Sequence, residues 1–200
     1  MTNLLTTLSA SHVPQAVIVG AVLAFLTAQI LMNAAARAMT TTVNGWSITM
    51  KAGQPGNGLL ARAAFARILP AVNVAQEAAY WTTTVDSAGG KLNGQREYVL
   101  HFSAGQLPPN DAFWSLTMTD VVGYMVRNPI DRYSVGSRSG LMPNADNSID
   151  IYIQSTVPAG HESNWLPAPA GNFKLMLRAY LPGRAILDGE YHVPPVKKVR

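Results

Sequence analysis

The chain has 200 residues, enough for about one domain built on a single hydrophobic core. Charged side chains are only 13% of it, 15 Lys and Arg against 11 Asp and Glu, which excludes a disordered, charge-rich chain. No cysteine is present, so disulfide scaffolds, thiolate metal sites and cysteine nucleophiles are excluded too.

The N-terminal segment is a separate unit. No charged side chain occurs before Arg37, and Val17 to Met32 is almost continuously apolar. Read as a helix, Pro14 to Ala36 extends about 34 Å at about 1.5 Å per residue, enough to cross a bilayer core. Pro14 suits the first helical position, where a missing N–H costs nothing. Gln29 and Asn33 share a face and can bond a partner helix. The small residues Gly20, Ala21, Ala24 and Ala28 permit close helix approach.

Two other readings compete. Ala36-Arg37-Ala38 fits a small-x-small cleavage site, but no Lys or Arg precedes the apolar run, and that run exceeds a signal core of about 7–15 residues. A buried core helix would need more chain around it than follows. Residues 1–38 are therefore expected to be a single-pass anchor lying in lipid through residues 14–36. Arg37 and Lys51 after the span, taken literally under the positive-inside rule, put the rest of the chain in the cytoplasm.

Residues 39–58 read as a hairpin and linker. Thr40 to Val43 and Trp46 to Met50 flank Asn44-Gly45, whose ease with positive φ suits a type I′ turn. Gly53 to Gly58 is a joint. Leu59 to Leu69 repeats apolar residues at three- and four-residue spacing, with Asn57 as cap and Pro70 as stop, and predicts one soluble helix.

Short strands then follow at Ala79–Val85, Arg96–Phe102, Ala112–Asp120, Ser148–Ser155 and Phe173–Leu181, separated by Gly, Pro and Asn clusters. Several alternate polar and apolar residues. Residues 59–200 are expected to form a mainly β domain, an antiparallel β-sandwich or jelly roll with one soluble helix.

Several runs carry a family resemblance. They are Phe113-Trp114-Ser115-Leu116-Thr117 with Asp120 and Gly123, Asn128-Pro129 with Arg132-Tyr133-Ser134, and Asn144-Ala145-Asp146 leading into Ile151-Tyr152-Ile153-Gln154. Further on come Asn164-Trp165-Leu166-Pro167-Ala168-Pro169-Ala170-Gly171, Leu175 with Leu177-Arg178-Ala179-Tyr180, and Pro194-Pro195-Val196. Over about Leu59 to Val199 the chain resembles the bacterial family of domains of unknown function numbered twelve-fourteen, in a short membrane-anchored form. The resemblance implies a jelly-roll-type sandwich, often the C-terminal half of a longer envelope protein, with a membrane span here in place of the other half. It brings no catalytic residues. It implies an envelope location, against the charge rule above: the bacterial inner membrane, with the domain on the periplasmic side.

Candidate ligand-binding residues are Trp114, Asp120, Asn128, Arg132, Tyr133, Asn164, Trp165 and Arg178. Asn128, Asp131, Arg132 and Tyr133, with Arg127 beside them, form a polar cluster in which the planar guanidinium can clamp a carboxylate or phosphate. The plainer reading is a turn begun by Asn-Pro and capped by Asp131, with Arg132 stapling a loop to the sandwich. Asn164 to Gly171 is a rigid loop whose Trp165 offers a stacking face, or a lid on one end of the sandwich. Arg178 and Tyr180 share a strand face. A buried Arg178 needs an acid, and Asp120 or Asp131 are the candidates.

His12, His101, His161 and His192 are scattered without ligand spacing, so no metal is expected. Asn144 to Ser148 lacks the Gly and distal Glu of a calcium loop and reads as a turn. Gly136-Ser137-Arg138-Ser139-Gly140 is no nucleophile elbow, and no dinucleotide or phosphate loop occurs, so no cofactor is expected. The basic tail Lys197-Lys198-Val199-Arg200 has no aromatic-basic stripe to extend it, so no nucleic acid is expected; a tail near lipid headgroups fits better.

The functional expectation is a membrane-anchored, non-catalytic binding or accessory module, with other membrane subunits as candidate partners. The alternative is an enzyme on an envelope carbohydrate or acyl substrate, using Asp120, Arg132 and Arg178 in one cleft walled by Trp114 and Trp165.

Overall fold

The computed structural model describes residues 4–68 and 73–199, and these fall into two compact units. The first holds two helices. α1 runs Leu4–Ala38 and α2 runs Leu59–Ile68. Within α1, His12–Ala38 is long and apolar enough to cross a membrane, and none of it is buried. The helix starts ten residues earlier than its proline suggests, so Pro14 lies inside it and not at its first position. There the ring removes one backbone hydrogen bond and crowds the carbonyl four residues back, while Ala and Leu among the preceding residues favour helix.

Gln29 of α1 accepts a hydrogen bond from Arg67 of α2. This polar residue of the apolar helix is thus met from within the chain. The expected stop of α2, Leu69 followed by Pro70, lies outside the described residues, as does Arg200 of the basic tail.

The second unit is mainly β and sandwich-like, with two sheets over one core. β1 (Thr41–Val43) and β2 (Trp46–Ile48) form the expected hairpin, with Asn44 at φ 54° and Gly45 at φ 80° in its turn. β3 (Ala78–Thr83), β5 (Asn110–Asp120), β6 (Ser134–Gly136) and β9 (Phe173–Pro182) complete a six-stranded antiparallel sheet in the order β1-β2-β3-β9-β5-β6. The second sheet has the order β10-β4-β7-β8, from β4 (Tyr98–Phe102), β7 (Ile149–Gln154), β8 (Trp165–Pro167) and β10 (Val196–Lys198). Its β7–β8 pair is parallel, so this sheet is mixed. A single helical turn, α3 (Arg184–Leu187), follows β9.

Alternation builds the core. Trp114, Leu116 and Met118 of β5 point inward with Phe173, Leu175, Leu177 and Ala179 of β9. Tyr98, Leu100 and Phe102 of β4 and Ile151 and Ile153 of β7 face them from the other sheet. Most of these side chains are fully buried, each contributing about 1.5–3 kcal/mol by leaving water. Asp86 is also buried, and its carboxylate accepts the backbone N–H of Gly90 at 2.8 Å and of Ala88 at 2.9 Å, which satisfies the charge locally.

Candidate functional site

The Asn-Pro cluster is a folded turn held by its own side chains. Asn128 Oδ1 accepts the Arg132 N–H at 3.0 Å, while its amide donates to the Arg132 carbonyl at 3.0 Å. Asp131 takes the left-handed backbone, φ 50°, that this closure requires. Tyr133 donates its hydroxyl to Asp131 at 3.0 Å, and that bond holds the Tyr133 pKa above the usual range. Arg132 then crosses to the loop before β8. Its Nη1 donates to the carbonyl oxygens of Glu162 at 2.6 Å and Trp165 at 3.0 Å. This is the stapling geometry.

Asn164 and Trp165 are packed into the sandwich, with the Asn164 side chain bonded to backbone as in the lid reading, and Trp165 leaves no open stacking face. Asn164 is buried; its Oδ1 accepts the Met142 N–H at 2.8 Å, and its amide donates to the carbonyls of Met142 and Asp150, each at 2.8 Å. Trp165 is 3% exposed and donates Nε1 to the Gln154 carbonyl at 2.9 Å. The segment read as a rigid loop starts with the edge strand β8, whose three residues are all buried.

Asp120 ends β5 and caps the turn after it. Its Oδ1 accepts the N–H groups of Gly123 at 2.7 Å and of Val122 and Tyr124 at 2.9 Å. The bonds from Gly123 and Tyr124 pull its carboxyl below the ordinary value of 3.8.

Arg178 departs from expectation. Leu177 and Ala179 occupy the inward positions of β9, so Arg178, one residue out of phase, lies on the outer face of the large sheet. It is half-buried, and its Nε contacts the Met176 sulfur at 3.2 Å in place of Asp120 or Asp131. Tyr80 and Ser115 sit opposite it on β3 and β5. Beside this row Phe113 and Tyr180 stack with ring centroids 4.4 Å apart, and the Arg138 guanidinium lies 4.3 Å over the Phe113 ring. Burial, and then the neighbouring Tyr180, raise the Tyr80 pKa. Neither arginine forms an ion pair among the described residues.

The residues of the enzymatic reading therefore do not share a cleft. Trp114 faces the core and Arg178 the opposite side of the same sheet.

Sequence reasoning passed over Tyr80, Phe113 and Arg138 on this face. Phe113 and Trp114 are both apolar, so spacing alone does not say which of them faces out, and register decides that Phe113 meets Tyr180. It also passed over a pair on the small sheet, where His101 Nδ1 lies 2.6 Å from Asp150 Oδ1 and Asn144 donates to the other carboxylate oxygen at 2.9 Å. No group of three or more potential metal ligands occurs among the described residues. Asn144 to Ser148 is a turn, with the Asn144 N–H on the Ser148 carbonyl at 2.8 Å.

Fold and site together define a class: a sandwich-like β domain preceded by an apolar helix, with an aromatic and arginine-bearing outer sheet face. The chain belongs to the family described as protein of unknown function DUF1214, whose model matches residues 77–184. No curated protein matches it. Among solved structures it is similar to the VPA0106 protein from Vibrio parahaemolyticus, at 29% identity and a TM-score of 0.62, over 72% of this chain and 36% of that one. The match thus spans about a third of that longer protein. An uncharacterised protein from Burkholderia cenocepacia aligns at 14% identity and a TM-score of 0.44, over 88% of this chain and 49% of that one.

Proposed function

We propose that this protein is a membrane-anchored, non-catalytic binding module that serves as an accessory subunit of a larger assembly, its β domain on the periplasmic side of a bacterial inner membrane. The observation that carries this reading is the outer face of the large sheet. It presents Tyr80, Phe113, Met176, Arg178 and Tyr180 half-buried and Arg138 exposed, and neither arginine has an acidic partner among the described residues. Aromatic and arginine side chains in one patch are the composition of protein-binding surfaces. The polar residues that could have made an active site are instead engaged with their own backbone. The longer VPA0106 protein supports the reading, since there the similar fold is one part of a larger chain.

The test uses the full chain expressed in its native membranes. It should resist alkaline extraction and, in mild detergent, co-migrate with a second chain in fixed ratio. Arg178→Glu with Tyr180→Ala should release that chain while the variant still melts in one cooperative transition, lowered only by the loss of the Phe113–Tyr180 stack. A lone monomer unaffected by the double variant overturns the accessory role, and a protein released by alkali overturns the anchor.

A further inference from the structure

A groove that none of those outer-face residues lines lies within the β unit. The hairpin β1–β2 and the segment after α3 enclose an open groove of about 480 Å³, counted out to its mouth with the solvent there included. Its floor is apolar and buried: Trp46, Trp81, Ile186 and Val193. Val43, Ile48, Met50 and Tyr191 form half-buried walls, and only Thr41, Gly189 and His192 at the rim are exposed.

The walls are fixed from behind. Trp46 donates Nε1 to the Pro194 carbonyl at 2.8 Å, Asn44 donates to the Val193 carbonyl at 3.0 Å, and the Tyr191 hydroxyl donates to the Gln106 carbonyl at 3.2 Å. Trp81 and Tyr191 meet edge to face at 6.0 Å. The polar atoms of Trp46 and Tyr191 are thus bonded to backbone carbonyls outside the lining, and the lining is mostly hydrocarbon. No charged side chain lines it. An occupant matched to this chemistry is a flexible apolar chain with its polar end at the Thr41 and His192 rim.

Chain connectivity names the source. The apolar helix ends at Ala38, and the first groove residue is Thr41. Three residues reach about 11 Å at most, so if α1 lies in lipid the hairpin edge of the groove stays beside the bilayer surface. We infer that the groove between the N-terminal hairpin and the segment 186–193 binds the acyl chain of a membrane lipid. The inference rests on the anchor reading above. It gives the module a lipid ligand as well as a protein partner.

The experiment places the full chain in phosphatidylglycerol vesicles that carry a phospholipid with a diazirine on one acyl chain. After irradiation, adducts are mapped by peptide mass spectrometry. Adducts are expected both within residues 12–38 and at groove residues such as Met50 and Tyr191. Excess unlabelled phospholipid should remove the groove adducts. Val43→Phe, which fills the groove, should do the same while sparing the helix adducts, and the competition arm decides if that variant misfolds. Adducts confined to residues 12–38 overturn the lipid groove and leave the anchor standing. Adducts on neither segment overturn both. Groove adducts that form only from a labelled free fatty acid overturn the bilayer lipid as the source.

Discussion

Arg132 and Trp165 are joined by a bond from the guanidinium Nη1 to the backbone carbonyl at 3.0 Å, which ties the turn before β6 to the first residue of β8. The same nitrogen holds the Glu162 carbonyl at 2.6 Å. Charged donors on carbonyls contribute about 1.5–3 kcal/mol, and Arg132→Ala removes two such contacts together. The variant should lose about 2 kcal/mol, a fall in melting temperature of roughly 4–8 °C for a chain of this size. Unchanged melting with altered ligand binding would instead place Arg132 in a ligand clamp.

Asp120 links the same region to pH. Its carboxylate accepts three backbone N–H groups, chiefly those of Gly123 and Tyr124, and its pKa is lowered. Asp146 and Glu162 are lowered too, Asp146 first by the Ser148 hydroxyl and Glu162 first by a backbone N–H. For each group the folded pKa lies below the unfolded one. Its stabilisation is complete above the unfolded value, near 4, and is lost as pH falls below that through the folded value. Thermal melts should therefore decline on the acid side below about pH 4. Asp120→Asn should melt lower than wild type at neutral pH, and the gap should narrow as the medium is acidified. A constant gap from neutral pH down to the acid limit would refute a role for the Asp120 charge.

The long strands were legible because their alternation is strict. Trp114, Leu116 and Met118 on β5, like Leu175, Leu177 and Ala179 on β9, carry a period of two that nothing else imitates. The hairpin was legible from Asn44-Gly45 together with the β-rich segments that flank it. The three-residue strands β6, β8 and β10 were not, because three residues hold no period, and Pro167 inside β8 argued for a loop. β8 tolerates that proline at the end of an edge strand. Partners were least legible of all. Spacing says that Arg178 and Tyr180 share a face, but which face, and that Phe113 stacks on Tyr180, depends on register between strands about sixty residues apart. The turn that carries Arg132 could be read because it is local and Asn-Pro announces it, whereas the carbonyls that Arg132 staples, Glu162 and Trp165, are set by long-range packing.

Asn164 is a case in which a small polar side chain holds two other segments of backbone. It satisfies the Met142 N–H and the Met142 and Asp150 carbonyls at once, from a buried position. Asn164→Ala leaves those groups without partners away from water, at a cost of about 1–3 kcal/mol for each one that stays dry. A loss of about 3 kcal/mol is expected in chemical denaturation, with the slope unchanged. Asn164→Asp should be no better, since a carboxylate cannot donate to the two carbonyls. Either variant at wild-type stability would mean that the 141–144 segment is free to detach.

Two glycines on either side of one contact separate close packing from chain flexibility. A Cβ on Gly94 would run into the Pro169 carbonyl, whereas a Cβ on Gly171 would meet nothing within 4 Å. The Gly94 backbone has little room to retreat. Its N–H is bonded to the Gly171 carbonyl at 3.0 Å, and neighbouring Asn93 is bonded to Asn172 at 2.8 Å. Gly94→Ala must push the Pro169 segment off the sheet edge, an overpacking cost of about 3 kcal/mol. Gly171 has no positive φ to protect, so Gly171→Ala should be neutral or stabilising by up to about 1 kcal/mol, through a less flexible unfolded chain. Paired urea melts read the contrast directly. Equal effects from the two substitutions would mean that the Pro169 carbonyl moves freely, and the segment following β8 would then be a loop and not part of the wall.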